Sequence, residues 1–506
     1  MATLETELQF QPDSGSSLKA QTVRGGAWSL AAQFGKFLAQ FAVTPVMARL
    51  LTPEDYGLYS TVFIFTMLFS LFKDPGLSLA IIQSPRLQPA QVNTLFWISV
   101  GIGALLAFLA ALSAPLLGWL YADARLPPIM LALASIYLVA GLAIQPEALL
   151  KRRMRIGALM MIDFAAHIVG YVVGVWAAWR GWHYWALVVT AVTMETVRAV
   201  GLLVAGKWRP ERPQRGVEVR SLLLFGGQLT ANSVLFLLTN KANMLLLAWR
   251  WGAVELGYYD KSDQLALLPA RQVNFPLAQV VHSTLSRLPA EPERYLKYLQ
   301  QYLTLSCGLG MPLSVLLFVT ADQCVPFFLG PQWGPSVPIF RALAPVAFIT
   351  SFSVCLGWIA VSLGLAGRLL RWGIWLTLAS FAGLAIGLRW GGVGVGLAYS
   401  VVRAIHVVPG LIYCCRGTFL RWQDILKPSV VPGLASLAAG ALTWLAARQL
   451  PEQWPLFATL FCQGTLFLLL YLAGWLITHN GRRTLAISLT AFQSVFTKER
   501  IKTDSA

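Results

Sequence analysis

The stretch Leu51-Thr52-Pro53-Glu54-Asp55-Tyr56-Gly57-Leu58-Tyr59-Ser60 separates two long apolar runs, and Trp251-Gly252-Ala253-Val254-Glu255-Leu256-Gly257-Tyr258-Tyr259-Asp260 separates another two. Both carry an acid, a glycine and a tyrosine at one spacing: Asp55-x-Gly57-x-Tyr59 and Glu255-x-Gly257-x-Tyr259. A Phe-Gly pair stands upstream of each, at Phe34-Gly35 and at Phe225-Gly226. An ordinary glycine turn between helices is the bland reading. Matching elements in matching order favour a chain built from two related halves.

Composition decides the class. Of 506 residues, 57% are hydrophobic and 12% charged, about half the charge of a soluble domain. Apolar runs of about 20 residues, enough to cross a bilayer, recur along the chain. They are too long, and alternate too little, for barrel strands. The expectation is an all-α polytopic membrane protein with about 14 transmembrane helices. The net charge of +17 is read as positive-inside loops, with no nucleic acid as partner.

The halves are expected as six-helix bundles over 21–205 and 221–415, around a central cavity, joined by a cytoplasmic linker at 206–220. Two further helices occupy 429–478. Residues 1–20 are expected as a disordered cytoplasmic tail and 479–506 as an amphipathic one. Two of the expected spans, 57–80 and 336–362, matter below. On this count only Arg49, Arg125, Arg180, Arg250, Arg389 and Arg448 face away from the cytoplasm. Clusters such as Lys151, Arg152, Arg153 and Arg155 lie on the cytoplasmic side, as do both termini.

Chemistry resides in the ionisable residues inside apolar runs. The cations are Lys36, Lys73, Arg198, Lys241, Lys261, Arg271, Arg341 and Arg403; the acids are Asp74, Glu147, Asp163, Glu195, Asp260 and Asp263. At about 2.5–3.5 kcal/mol each in mid-bilayer, the set would cost roughly 40 kcal/mol facing lipid. Most therefore line a polar interior, pair, or snorkel at an interface. Glu195 and Arg198 share a helix face, as do Asp163 and His167. Glu147 and Asp260 read as interfacial span ends. Lys36, Lys73, Lys241, Arg271, Arg341 and Arg403 have no acid at helical spacing, so a cationic cavity for an anionic or phosphate-bearing cargo is expected. Arg271→Ala and Arg341→Ala are expected to abolish transport of it. Asp74, Asp163, His167, Glu195 and Asp263 are the candidates for ion coupling, by H+ or Na+, without a bound cofactor.

The six cysteines form no CxxC pair and sit mostly in apolar segments. They read as small core residues, and no metal site is expected. No Walker loop, GxSxG or HExxH occurs, and no catalytic residue is assigned.

Three stretches carry a resemblance. Leu51 to Tyr59, Asp74-Pro75-Gly76-Leu77-Ser78-Leu79-Ala80-Ile81-Ile82-Gln83, and Glu255 to Pro269 are similar to segments of Wzx-type and colanic-acid-exporter-like polysaccharide transporters. These belong to the multidrug/oligosaccharidyl-lipid/polysaccharide flippase superfamily. The resemblance covers residues 20–415 well and the last two spans by hydropathy alone. It implies two bundles around a cavity and a cargo of undecaprenyl-diphosphate-linked oligosaccharide, flipped from the cytoplasmic to the periplasmic leaflet by alternating access. It further implies membrane lipids, and polysaccharide polymerase and export machinery, as partners of a bacterial inner-membrane monomer. It does not identify the cavity residues one by one. A multidrug antiporter of the same superfamily would call for an acidic cavity. A polysaccharide polymerase or ligase, an enzyme, would call for a large extramembrane loop.

Overall fold

The computed structural model describes residues 18–74, 78, 81, 89–206, 210–212, 220–449, 451 and 454–477. Residues 1–17 of the tail expected at 1–20, the tail expected at 479–506 and most of the 206–220 linker fall outside them; Leu18–Ala20, expected in the disordered tail, are helical. Among the described residues there is helix and no strand. Nine helical stretches there are long and apolar enough to cross a membrane. The chain is an all-α multi-pass membrane protein.

It divides into two compact units, Met1–Gly257 and Tyr258–Ala506. The first holds α1 (Leu18–Leu50), α2 (Pro53–Ser70), α3 (Pro89–Tyr121), α4 (Leu126–Arg152), α5 (Ile156–Trp179) and α6 (Trp185–Gly206). It also takes the first part of α7 (Arg220–Leu285). That part belongs here because Ala253 packs on the core of α2, α3 and α4. The Tyr121 hydroxyl also donates to the Leu245 carbonyl at 3.4 Å.

Local chemistry explains where α2 starts. Thr52 and Asp55 form a reciprocal capping box, and Pro53 occupies the first turn. Each satisfies or removes a backbone N–H that would otherwise lack a partner. The helix stops at Ser70, ten residues before the expected end at 80. Lys73 and Asp74 lie in the turn that follows. Pro75 disfavours helical backbone at Asp74, whose carboxylate instead accepts the Ser78 N–H at 3.1 Å.

The second copy of the repeated turn has a different backbone. Here α7 bends at Gly252, whose φ of 82° places it in the left-handed region, where glycine carries no steric penalty. The two copies meet. A Cβ on Gly57 would overlap the carbonyl of Ala253, and one on Gly257 would overlap the carbonyl of Pro53. Each glycine thus abuts the residue four positions before the other, and only hydrogen fits between the backbones.

α3 packs along α4, α5 along α6, α4 along α6, and α1 along α5. Leu58, Val62, Ala110, Leu117, Ile129, Leu133 and Tyr137 fill the core between α2, α3 and α4. Gln145 on α4 donates across the seam to the Leu95 carbonyl at 3.2 Å and the Ser99 hydroxyl at 2.8 Å. Bonds of this kind contribute about 0.6 kcal/mol each in membranes.

The second unit holds the rest of α7, α8 (Pro292–Val319), the short α9 (Ala321–Leu329), α10 (Ser336–Ser353) and α11 (Cys355–Ser362). It continues through α12 (Ala366–Gly387), α13 (Gly391–Cys415), α14 (Trp422–Ala447) and α15 (Leu456–Ile477). The expected span 336–362 is present as one apolar stretch, Ser336–Ser362, with a single turn residue of helical backbone, Val354, between α10 and α11. α8 packs on α10 and α14, α12 on α13, and α14 on α15. Leu299, Leu303, Cys307, Cys355, Trp358 and Leu411 belong to its largest core. The cysteines are free thiols, five of the six buried.

Candidate functional site

In the first unit four helices bring charges to one point. Arg198 on α6 donates from Nε to Asp163 Oδ1 on α5 at 2.8 Å and from Nη2 to Glu147 Oε2 on α4 at 2.5 Å. Its Nη1 lies 3.6 Å from Glu195 Oε1, one turn back on α6. Lys36 on α1 reaches the other oxygen of Asp163 at 3.4 Å. Lys151, at the end of α4, pairs with Glu147 at 2.7 Å. Three cations thus meet three carboxylates. The expected Glu195–Arg198 pair is present as one edge of a larger network.

Two expectations change here. Glu147, read as an interfacial span end, is a core member of this network. The Asp163–His167 pair does not form side chain to side chain. His167 Nδ1 lies 2.7 Å from the backbone carbonyl of Asp163, so its N–H donates to the helix backbone. The Asp163 carboxylate is occupied by Arg198 and Lys36.

In the second unit the charges follow one helix. Asp260, Lys261, Ser262 and Asp263 are all buried on α7. Lys261 Nζ donates to Gln264 Oε1 at 3.1 Å, and Gln264 Nε2 donates to Asp260 Oδ2 at 2.8 Å. Ser262 donates to the Tyr258 carbonyl at 2.7 Å. Asp263 accepts from Arg271 Nη2 at 3.2 Å, and the Arg271 side chain remains 58% exposed. The residues stand eight apart, two helical turns, so they share a face.

The other candidates are dispersed. Arg341 bonds to Asp322 of α9, and both side chains are partly open. Arg403 donates to the Tyr399 hydroxyl at 2.9 Å, with its guanidinium 5.0 Å from the centre of that ring. Lys241 Nζ lies 3.4 Å from the Met244 sulfur. Lys73 and Asp74 sit beyond the end of α2. Of the six cations without an acid at helical spacing, Lys36, Arg271 and Arg341 therefore have one. Sequence separation hid two of these partners: Asp163 is 127 residues from Lys36, and Asp322 lies on another helix; Asp263 stands eight residues before Arg271 on the same helix, outside the three- and four-residue spacings.

A second charged group stands beside the repeated turn. Arg125 pairs with Glu54 at 2.7 Å and with Asp123 at 2.8 Å. The hydrogen bond from Arg125 holds the Asp123 carboxyl below its ordinary range. No group of three or more metal-ligating side chains occurs among the described residues.

Residues 46–338 match the family described as polysaccharide biosynthesis protein. The chain is 24% identical to the lipopolysaccharide biosynthesis protein WzxC of Escherichia coli K12, over 78% of this chain and 80% of that one. It is 23% identical to the succinoglycan biosynthesis transport protein ExoT of Rhizobium meliloti, covering 65% and 67% of the two. It is 20% identical to the teichuronic acid biosynthesis protein TuaB of Bacillus subtilis, covering 84% and 89%. Among solved structures, the lipid II flippase MurJ in an inward closed conformation superposes with a TM-score of 0.70 at 15% identity, covering 88% of this chain and 97% of that one. An inward-facing multidrug transporter of the MATE family superposes at 0.61 and 14% identity, covering 78% and 96%. At such identities the structural likeness establishes the fold.

Proposed function

This chain belongs to the polysaccharide biosynthesis protein family, and from that premise we propose that it is a flippase for a lipid-linked oligosaccharide. It moves an undecaprenyl-diphosphate-linked repeat unit from the cytoplasmic to the periplasmic leaflet of a bacterial inner membrane, by alternating access. The loops bearing Lys151, Arg152, Arg153 and Arg155 are cytoplasmic, as are both termini, and the transporter works as a monomer. It makes and breaks no covalent bond; a polymerase and the export machinery take up what it delivers.

The observation that carries the reading is the state of Arg271. A guanidinium on the long helix α7 is held on one side by the buried Asp263 while 58% of its side chain stays accessible. A fixed, open guanidinium suits a phosphate oxygen, because its planar fork is oriented before the anion arrives. Lys241, Lys261, Lys73 and Arg403 remain supporting candidates for the cargo, and Arg341, tied to Asp322, is the weakest of the set. Lys36 and Arg198 act within the neutralised network, which fixes α1, α4, α5 and α6 together.

Coupling to H+ or Na+ belongs with the carboxylates: Asp163 and Glu195 in the first unit, Asp263 in the second, and Asp74 after α2. Protonation of Asp163 would release Arg198 and Lys36 together, so one proton would loosen three helices. Asp163→Asn and His167→Ala tested against wild type over a pH series check this; unchanged pH and gradient dependence in both removes the coupling role.

The function is tested by deleting the gene and analysing its lipids. Undecaprenyl-diphosphate oligosaccharide should accumulate on the cytoplasmic face. Single repeat units gathering on the periplasmic face would point to a polymerase and overturn the reading.

A further inference from the structure

The turn joining α5 to α6 reads Gly181-Trp182-His183-Tyr184-Trp185, four aromatic rings in succession. Its backbone is unusual. Gly181 has φ of 77° and His183 has φ of 49°, the left-handed region that side-chain-bearing residues enter infrequently. The Trp185 N–H then bonds to the Trp182 carbonyl, and the Ala186 N–H to the His183 carbonyl, both at 3.0 Å. This tight turn gathers the rings around a cavity of about 410 Å³, lined by Gly181, Trp182, His183, Tyr184, Trp185 and Val189. Small-ligand pockets span about 300–1,000 Å³.

The walls are fixed at one side and open at the other. Tyr184 and Trp185, with ring centres 5.7 Å apart, pack against the core of α2 and α4. Trp182 stands edge-on to Trp176 at 5.7 Å and stays 45% exposed. The polar end comes from His183, whose Nδ1 lies 3.9 Å from the buried carboxylate of Asp55. The same Asp55 oxygen accepts the Thr52 N–H at 2.9 Å, so the cavity is anchored to the start of α2.

We propose that this cavity is a saccharide subsite that holds one sugar ring of the cargo on the periplasmic side; the proposal rests on the flippase reading above. A pyranose has an apolar C–H face and a rim of hydroxyls. Indole and phenol faces take the first, and the imidazole of His183 and the phenolic hydroxyl of Tyr184 take the second. A diphosphate finds no cation among the lining residues, and an acyl chain makes no use of the polar end. Tryptophans that only mark a membrane interface sit at headgroup level, whereas this turn sets Trp182, Tyr184 and Trp185 around one open concavity. The subsite would hold the sugar after the head group has crossed, independently of Arg271.

The test uses the full-length protein in lipid nanodiscs, with methyl β-D-glucopyranoside, methyl β-D-galactopyranoside and N-acetylglucosamine as probes. Saturation-transfer NMR should show magnetisation reaching the C–H face of at least one of them. Trp182→Leu, which keeps apolar bulk at an exposed site, should weaken binding about two- to tenfold, and Tyr184→Leu similarly. Arg271→Ala should leave it unchanged. No transfer to any probe, or transfer equal in wild type and Trp182→Leu, overturns the subsite; quenching of Trp182 fluorescence by brominated lipid would then identify an interface anchor. Retained sugar binding in a chain whose deletion leaves lipid-linked oligosaccharides unchanged would overturn the flippase reading and leave the subsite standing.

Discussion

The two units arrange their main charge groups differently. In the first, Arg198, Glu147, Asp163, Glu195, Lys36 and Lys151 come from four helices and cancel one another. In the second, Asp260, Lys261, Asp263 and Arg271 lie on one helix and are tied by bonds within it. A network between helices constrains how those helices sit. Bonds within one helix orient side chains along it, and Arg271 is left oriented and open. An ionisable residue in a membrane helix is therefore weak evidence of a binding site until its partners are known.

The largest effect should come from breaking the open side. Arg271→Ala should reduce export about 10- to 100-fold, the value of one to two charge-assisted hydrogen bonds, with the protein inserted at normal levels. Lys at this position should restore part of it. A radiolabelled-precursor export assay with membrane quantification distinguishes this from poor insertion, and full export by Arg271→Ala would remove the residue from the site.

Breaking the network should act on stability first. Arg198→Ala leaves three carboxylates around Lys36 and Lys151 and should cost about 1–3 kcal/mol. This is below the 3–5 kcal/mol of a fully buried pair, because these side chains keep 17–25% exposure. Thermal unfolding in detergent would show it. Adding Glu147→Gln and Asp163→Asn should recover most of the loss, and failure to recover would mean that Arg198 has a role besides neutralisation.

Lys36→Gln sharpens the same point at lower amplitude. Its 3.4 Å contact to Asp163 is the outermost edge of the network, and its removal should lower stability by about 1 kcal/mol or less. The smallest effect is expected at Arg341→Ala. Its partner Asp322 is 57% exposed, and open pairs contribute about 0–1 kcal/mol. Export within twofold of wild type would support the view that how a cation is held and how open it stays, and not mere presence in an apolar run, decides which cations serve the cargo; loss of export would return Arg341 to the site.

Much of the fold is legible locally. Thr52, Pro53 and Asp55 announce the start of α2, and Asp74-Pro75 explains why it does not continue to 80. The repeated spacing of Gly57 and Gly257 is visible in the sequence, while their close approach to Ala253 and Pro53 is seen only in the structure. The aromatic run at 182–185 is visible as a sequence but carries no meaning there, since its cavity depends on the left-handed turn at Gly181 and His183 and on Asp55 arriving from α2.

What the sequence determines alone follows from short-range physics. Long apolar runs must be helices in a bilayer, because backbone hydrogen bonds have no other partner there, and the charges within them must be sheltered. Which charge shelters which is a matter of which helix faces meet. Lys36 and Asp163 are 127 residues apart and find each other only because α1 packs along α5. Tertiary structure decides that Arg198 is consumed while Arg271 is not, since an ion pair depends on a few ångströms of separation that no spacing along the chain records.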